Sequence, residues 1–106
     1  MNKHGSITRG IKEVAGKLRY DLIPASLELE LAKVVTAGAI KYGDRNWEKG
    51  IPDSECIGAI KRHLARFQLG QEFSPHDGAH EMAHVVFWCM VLIEQAKIDQ
   101  LEFLNS

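Results

Sequence analysis

Four ionisable side chains stand directly before the longest apolar run of the chain. They are Asp77, His80, Glu81 and His84, and the nine apolar residues 85–93 follow them. If this stretch is helical, offsets of three, four and seven residues place all four side chains on one face. Two imidazoles and two carboxylates are costly to bury without partners. The segment therefore predicts either a divalent metal site or a shared hydrogen-bond network on a mostly apolar helix.

Apolar positions also recur at helical spacing in the first half of the chain. A first helix runs from Pro24, which suits its first turn, to about Tyr42, and Gly43 ends it. Ser26 is an alternative cap for this helix. Residues 43–52 are rich in turn formers and predict a loop. The apolar positions of the helix are Leu27, Leu31, Val34, Val35 and Ala39.

Two further helices complete the predicted secondary structure. The second has Asp53 or Ser54 as its cap and ends near Leu69, and the third runs from about Asp77 to Gln95 or beyond. No strand alternation persists, so the sequence predicts an all-α fold, a small helical bundle. The 106 residues fit one domain. We place this α-helical domain at residues 17–106, after a polar N-terminal segment at residues 1–16.

The composition narrows the range of partners. A formal net charge of -1 excludes a general polyanion binder, and the few aromatic residues give no sign of nucleic-acid binding. The apolar run is far shorter than the roughly 20 residues needed to cross a bilayer, and no signal peptide is visible. We therefore expect a cytoplasmic protein without membrane contact. A chain this short buries a modest share of its surface, which predicts oligomerisation.

The segment HEMAH, from His80 to His84, matches the HExxH pattern of zinc proteases. In those enzymes two histidines one turn apart bind zinc, and the intervening glutamate is the general base. The extended form of the pattern, HExxHxxGxxH, is absent, because Phe87 and Met90 stand where it would place the glycine and the third histidine. A zinc metallopeptidase is therefore the less favoured alternative.

The same residues also predict a magnesium or manganese site. Glu81 and His84 form an E-x-x-H pair one turn apart, and Glu30 on the first helix would add a carboxylate. Carboxylates bind hard cations, and an imidazole shifts the preference toward manganese without excluding magnesium. From periodicity alone, the favoured interpretation of Glu30 is a solvated surface carboxylate.

Basic residues supply candidates for phosphate binding. Arg62 and Arg66 lie four residues apart on one helical face, and arginine is well suited to polyphosphate. In the loop after the first helix, Tyr42 or Trp47 could stack on a base and Asn46 could read a base edge. Ordinary surface charge and a loop pinned by a buried tryptophan are the alternatives. The basic set comprises Lys17, Arg19, Lys41, Arg45, Lys61, Arg62, His63 and Arg66.

Five segments together resemble a known family. They are KLRYDLIP, LELELAKV, AIKYGDRNWEKG, AIKRHLARF and GAHEMAHVVFW, in this order between Lys17 and about Glu94. Their pattern is similar to that of the phage and bacterial dATP/dGTP diphosphohydrolases (MazZ-like), relatives of the MazG-type all-α nucleoside triphosphate pyrophosphohydrolases. The resemblance implies cleavage of a purine nucleoside triphosphate, dGTP or dATP, into monophosphate and pyrophosphate. For a phage protein, the expected location is the host cytoplasm.

The resemblance also implies roles for particular residues. MazG-type enzymes hold Mg²⁺ or Mn²⁺ with an EExxE helix and an ExxD helix. Glu30 matches the second glutamate of EExxE, and Leu29 and Lys33 stand where the other two would be. Glu81 matches the glutamate of ExxD, and His84 replaces its aspartate. MazG-type relatives build their sites at interfaces between subunits, so a homodimer or homotetramer is implied.

These roles make up the predicted site. Glu81 is a metal ligand and water-orienting base, with Glu30 and His84 as further ligands. His80 and Asp77 are ligands or lie next to the ligands, Asp77 being added from the helical face alone. A non-enzymatic nucleotide-binding or interaction module, in which these polar residues are structural, is the third hypothesis beside the pyrophosphohydrolase and the peptidase. The predicted substrate-binding residues are Lys17, Arg19, Lys41, Tyr42, Arg45, Asn46, Trp47, Arg62 and Arg66.

Overall fold

The computed structural model describes residues 16–105, so the predicted N-terminal segment lies outside the described residues apart from Gly16. The described part contains three α-helices and no strand, which confirms the all-α prediction. The helices are α1 (Ala25–Tyr42), α2 (Asp53–Gln68) and α3 (Glu81–Asn105). Short 3₁₀ turns at Tyr20–Leu22 and Asn46–Lys49 precede α1 and α2.

The predicted bounds of α1 are confirmed. Pro24 occupies the position before the first helical residue with an extended backbone, and Ser26 lies inside the first turn. At the other end the Gly43 N–H donates to the Ala39 carbonyl at 2.8 Å. Gly43 has a φ of +97°, which a residue with a Cβ rarely adopts. Glycine therefore lets the chain leave α1 and enter the loop.

The predicted cap of α2 is wrong. Pro52 stands at the capping position, Asp53 is already helical, and no side chain caps the helix. Proline suits this place because it has no N–H to satisfy and keeps the chain extended before the first turn. The end of α2 falls at Gln68, one residue before the predicted Leu69.

The predicted start of α3 is also wrong, because the helix begins at Glu81 and not near Asp77. Residues 72–80 form a tight turn. Its backbone is held by the Ser74 N–H, which donates to the Ala79 carbonyl at 2.8 Å, and by the Glu81 N–H, which donates to the Glu72 carbonyl at 2.7 Å. Gly78 supplies a left-handed φ of +72° within it. Asp77 and His80 therefore precede the helix, and the four polar residues do not share one helical face.

Helices α2 and α3 run antiparallel. Near the start of α2, the Ile51 N–H donates to Gln95 Oε1 at 2.6 Å, and Gln95 Nε2 donates to the Ile51 carbonyl at 2.9 Å. Near its end, His63 contacts Glu81 at the first residue of α3. The pair is thus joined at both ends by polar contacts, with Cys56, Ala59 and Val91 buried along it.

Helix α1 packs against the start of α3 through a small apolar cluster. Val34 is buried with Ala79 and Ala83, and Phe87 packs against them. Elsewhere α1 leaves large apolar side chains in solvent, including Leu29 and Ile40, the latter 84% exposed. No described helix combines the length and the apolar character that crossing a membrane requires.

Candidate functional site

Glu81 is the centre of the polar cluster between α2 and α3. Its residue is 1% exposed. Oε1 contacts Nδ1 of His63 on α2, and Oε2 accepts a hydrogen bond of 2.7 Å from Gln71 Nε2 in the following loop. Arg66 Nη1 lies 4.0 Å from Oε1. As the first residue of α3, the carboxylate also faces the positive end of the helix dipole.

The Glu81 carboxyl is ionised at neutral pH. Burial on its own would raise its pKa, but hydrogen bonds from His63 and Gln71 outweigh that effect and leave the pKa below its ordinary value. An ionised carboxylate can only accept hydrogen bonds. His63 must therefore donate from Nδ1.

His84 lies beside this pair, one turn further along α3. Its ring stacks on the His63 ring with centroids 4.3 Å apart and planes 13° from parallel. Its Nε2 lies 2.8 Å from Asp77 Oδ2, yet the two groups are not aligned for a hydrogen bond, and this nitrogen is the buried one that lacks such a partner among the described residues. Burial lowers the pKa of His84, against the opposing charge of Asp77.

We call these five residues the Glu81 network: Glu81, His63, Gln71, His84 and Asp77. Three of them, Glu81, His84 and Asp77, were predicted to act together, and the structure does bring them together. Asp77 does so from the turn before α3, where its Oδ1 also accepts the Ala79 N–H at 2.9 Å.

Glu30 and His80 meet in a second contact, between α1 and the turn. The His80 N–H donates to Glu30 Oε1 at 2.7 Å, and Lys33 Nζ donates to Oε2 at 2.8 Å. The hydrogen bond from Lys33, followed by that from the His80 N–H, lowers the pKa of Glu30. The His80 ring packs against Phe67 and Phe73, each with centroids at 5.4 Å. Beside them runs an open groove of about 430 Å³.

The predicted metal ligands do not form a metal site in this arrangement. Within residues 16–105, no group of three or more His, Cys, Asp or Glu side chains is placed to hold an ion. Both oxygens of Glu81 accept hydrogen bonds from protein donors, and so do both oxygens of Glu30. The His80 ring packs against aromatic rings and its Nδ1 accepts the Met82 N–H, while the His84 ring stacks on His63. The donor set therefore does not fit Mg²⁺, Mn²⁺ or Zn²⁺ as it stands, and the metal requirement stays a prediction.

The predicted base-binding residues lie at the other end of the molecule. Tyr42, Asn46 and Trp47 follow α1, in the loop that Ile51 and Gln95 fasten to α3. Fourteen residues of α3 separate Gln95 from Glu81, about 21 Å at 1.5 Å per residue. Lys41 and Arg45 belong to the same end, with Lys41 Nζ 5.1 Å from the Tyr42 ring centroid. One chain thus does not bring this loop to the Glu81 network.

The remaining predicted phosphate ligands are scattered. Arg19 is paired with Asp21 through two hydrogen bonds of 2.8 and 2.7 Å, and Lys17 is exposed near it. The Arg62 guanidinium lies over Gly58 on α2, where a Cβ would meet its Nη1 at 3.2 Å. Arg66 is the predicted phosphate ligand that contacts the Glu81 network.

Comparison with known proteins places the chain in a family. A family model described as dATP/dGTP diphosphohydrolase, N-terminal, matches residues 8–102. The chain belongs to this family. A dATP/dGTP diphosphohydrolase of Salmonella phage PMBT28 is 31% identical over 87 residues, which cover 76% of this chain and 30% of the relative. The chain thus spans about a third of that relative's length. No solved structure matches it.

The resemblance to dATP/dGTP diphosphohydrolases is thereby confirmed, whereas the relation to MazG-type enzymes stays a prediction. For this family member, sequence reasoning missed two residues of the network. His63 was placed among surface basic residues, and Gln71 was not considered. The signal available for them was that a buried Glu81 needs hydrogen-bond donors. Periodicity does not show that these donors come from residues 10 and 18 positions earlier in the sequence.

Proposed function

We propose that this chain catalyses hydrolysis of purine deoxynucleoside triphosphates, dGTP or dATP, to monophosphate and pyrophosphate. The observation that carries the proposal is membership of the dATP/dGTP diphosphohydrolase family over residues 8–102. The name of the phage relative gives the substrate class. Because the chain spans 30% of that relative, the activity of this chain on its own is part of the proposal.

The Glu81 network supports a hydrolytic reaction. It gathers an ionised carboxylate, two imidazoles and a second carboxylate between α2 and α3, and Arg66 stands at its edge with 48% of its side chain exposed. Arginine binds phosphate with paired, charge-assisted hydrogen bonds. Pyrophosphohydrolysis adds water to the α-phosphorus and breaks its bond to the β-phosphate oxygen. Positioning and electrostatic stabilisation of the phosphates supply most of the acceleration in such reactions.

The dependence on Mg²⁺ or Mn²⁺ predicted from the sequence is tested separately. Protein hydrogen bonds occupy the carboxylate oxygens of Glu30 and Glu81, which are the predicted ligands of the ion. Differential scanning fluorimetry of the purified chain with each cation, without nucleotide, checks the site directly. A rise in the melting temperature shows that an ion binds the folded state.

The two alternatives are less well supported. A zinc peptidase needs both histidines of HEMAH on one helical face, whereas His80 precedes α3 and packs on Phe67 and Phe73. A non-enzymatic module is compatible with a Glu81 network that only stabilises the fold, and it differs from the proposed enzyme in giving no turnover.

The deciding experiment is incubation of the chain with dGTP, dATP, dCTP and dTTP, with and without Mg²⁺ and Mn²⁺. Chromatography of the nucleotides and an enzymatic assay for pyrophosphate identify the products. We expect monophosphate and pyrophosphate in equal amounts from the purine nucleotides. Orthophosphate as the first product, or no turnover of any nucleotide under any of these conditions, contradicts the proposal.

Self-association is a further part of the proposal. One face of α1 is an open, largely apolar surface in the single chain. It carries Leu29, Ala32, Thr36 and Ile40. These residues recur every three or four positions, so they form one continuous stripe. The loop at Tyr42–Trp47 lies at the opposite end of the chain from Glu81. A second copy packed antiparallel on the stripe would bring its loop toward the first copy's site, which supports the predicted homodimer or homotetramer.

A further inference from the structure

Phe73 is a large apolar side chain that the turn before α3 holds in solvent. It is 54% exposed, and it lies directly opposite His80 in an isolated antiparallel pair. The two backbone hydrogen bonds of the turn flank this pair, so it is of the non-hydrogen-bonded kind, in which facing side chains approach closely. The two rings meet nearly edge to face, with centroids 5.4 Å apart and planes at 75°. The turn thus positions the Phe73 ring and leaves more than half of the residue accessible.

The open groove beside this ring has the size and the lining of a small-molecule site. It lies between the start of α1, the turn and the start of α3, and we call it the Phe73 groove. Its volume of about 430 Å³ falls within the range of ligand pockets, roughly 300–1,000 Å³. Such pockets are mostly apolar and contain a few polar groups that orient the ligand. The apolar walls of the Phe73 groove are formed by Leu27, Met82, Ala83 and Val86.

Glu30 is the charged group that lines the Phe73 groove. Hydrogen bonds from Lys33 and from the His80 N–H lower its pKa, so its carboxyl is ionised at neutral pH. A carboxylate has about four lone-pair sites, and each of its oxygens accepts one hydrogen bond from the described part of the chain. The remaining sites can accept from a ligand. The Phe73 groove therefore complements a flat apolar ring that carries N–H donors at its edge.

The Phe73 groove adjoins the Glu81 network at His80. This residue directly precedes Glu81, and its Nδ1 accepts the Met82 N–H at 3.1 Å. Its ring also packs against Phe67, the neighbour of Arg66 on α2. A ring bound in the groove is thus one side chain away from the network, and phosphate groups attached to it can extend toward Arg66.

We propose that the Phe73 groove binds the purine base of the substrate. This assignment rests on the proposed function, which supplies the identity of the ligand. The Phe73 ring is the stacking platform, since every nucleobase has a π-face that stacks on aromatic side chains. Glu30 accepts from the amino-bearing edge of the base. The other face of the base stays open, so an aromatic ring from the Tyr42–Trp47 loop of a second copy can cover it.

The test compares kcat and KM for dGTP, and the Kd of the product dGMP measured by calorimetry, in the wild-type chain and three variants. Phe73→Leu keeps an apolar side chain without the aromatic ring. We expect its KM and Kd to rise by about 10-fold, the size of one base–aromatic stacking contact, with kcat within about threefold. Phe73→Tyr retains a ring and keeps values close to those of the wild type. Phe103→Leu, at an exposed position near the end of α3, is the matched control and keeps the wild-type values.

A second ligand tests the contact with Glu30. The nucleotide dIMP lacks the amino group that guanine carries next to its ring N–H and is otherwise the same as dGMP. We expect dIMP to bind the wild-type chain about 10-fold more weakly than dGMP, because a hydrogen bond to an ionised carboxylate is lost. Equal affinity for the two nucleotides overturns the role of Glu30 at the edge of the base.

The outcomes separate the base site from the proposed function. Circular dichroism and thermal melting first show that each variant is folded. A folded Phe73→Leu variant with the KM and Kd of the wild type overturns the base site and leaves the proposed function intact. Binding of dGMP that depends on Phe73, in a chain that hydrolyses no purine nucleotide, supports the base site and overturns the proposed function. A chain that neither hydrolyses dGTP nor binds dGMP overturns both.

Discussion

The Glu81 carboxylate is buried with a hydrogen-bond partner on each oxygen. Its two oxygens face His63 and Gln71, its backbone N–H reaches the Glu72 carbonyl, and its position at the start of α3 adds the attraction of the helix dipole. A buried charge that loses its partners is strongly destabilising, whereas one with satisfied oxygens is not. The residue is therefore expected to stabilise the fold, and its contribution to stability can be measured.

Removing the carboxylate leaves two half-buried donors, on His63 and Gln71, without an acceptor. We expect Glu81→Ala to lower the free energy of unfolding by about 3 kcal/mol, the size typical for breaking a buried, charge-assisted network. Urea unfolding monitored by circular dichroism measures this difference. Glu28→Ala, an exposed carboxylate on α1, is the control and changes stability by less than about 0.5 kcal/mol. Equal stability of the two variants contradicts the network as described.

Acid is expected to destabilise the fold in two stages. Burial holds the pKa of His84 below its ordinary 6.5, so the unfolded chain takes up this proton first and stability declines as pH falls below 6.5. The pKa of Glu81 is also lowered, from an ordinary value of 4.5, so its contribution is present above 4.5 and is lost as pH falls through the folded value. Urea unfolding at pH 7.5, 5.5 and 4 measures both stages.

The variant His84→Gln isolates the first stage. The glutamine side chain does not titrate, so the decline in stability between pH 7.5 and 5.5 should be smaller than in the wild type. A variant with the same decline as wild type shows that His84 is not its source. His76→Gln, at an exposed position, serves as the comparison.

At the residue scale, the sequence predicted part of the polar cluster for a reason that was incomplete. Glu81 and His84 were found because an E-x-x-H pair before an apolar run needs partners. Asp77 was placed on a helical face, but it reaches His84 from a turn that Gly78 makes possible. His63 was missed because neighbouring arginines made it look like one more surface cation. Which donors meet Glu81 depends on how α2 and α3 pack, and the pattern within one helix carries no such information.

At the scale of elements, periodicity located three helices, whereas their starts depended on local backbone hydrogen bonds. The end of α1 was predictable because Gly43 is a recognisable stop. The start of α3 was not predictable. Residues 72–81 form a turn held by backbone hydrogen bonds, and such bonds produce no periodic pattern in the sequence. Pro52, standing before α2, was passed over in favour of Asp53 as the capping residue.

The loop between α1 and α2 is fastened by one side chain. Gln95 both accepts from and donates to the backbone of Ile51. We expect Gln95→Ala to lower the free energy of unfolding by about 1–2 kcal/mol, because two partly buried backbone groups lose their partner. Gln100→Ala, further along the exposed part of α3, is the matched control. If both variants unfold at the same urea concentration, the Ile51 contact does not contribute to stability.

At the scale of the whole molecule, a single chain leaves much of its apolar surface uncovered. The buried apolar residues of the described part are few and mostly small: Val34, Cys56, Ala59, Ala79, Ala83 and Val91. Exposed apolar stripes on soluble proteins commonly mark an interface. Short chains gain burial by associating, which supports the self-association that we propose.

A charge placed on the α1 stripe should disrupt that association. We expect wild-type chain to sediment as a dimer or tetramer, and Ile40→Glu to shift the distribution toward the monomer, because 84% of this side chain is exposed on the single chain and would be desolvated in the assembly. Leu69→Glu, equally exposed but at the end of α2, is the control and keeps the wild-type distribution. A monomeric wild-type chain at micromolar concentration would rule out the assembly.

The distance between the Tyr42–Trp47 loop and Glu81 has a genetic consequence. If each catalytic centre takes its loop from one copy and its imidazoles from another, a mutation in one copy also affects a centre that this copy shares with its partner. Two dead alleles, one altered at Trp47 and one at His63, would then complement when co-expressed, since every mixed pair contains one centre built wholly from intact halves.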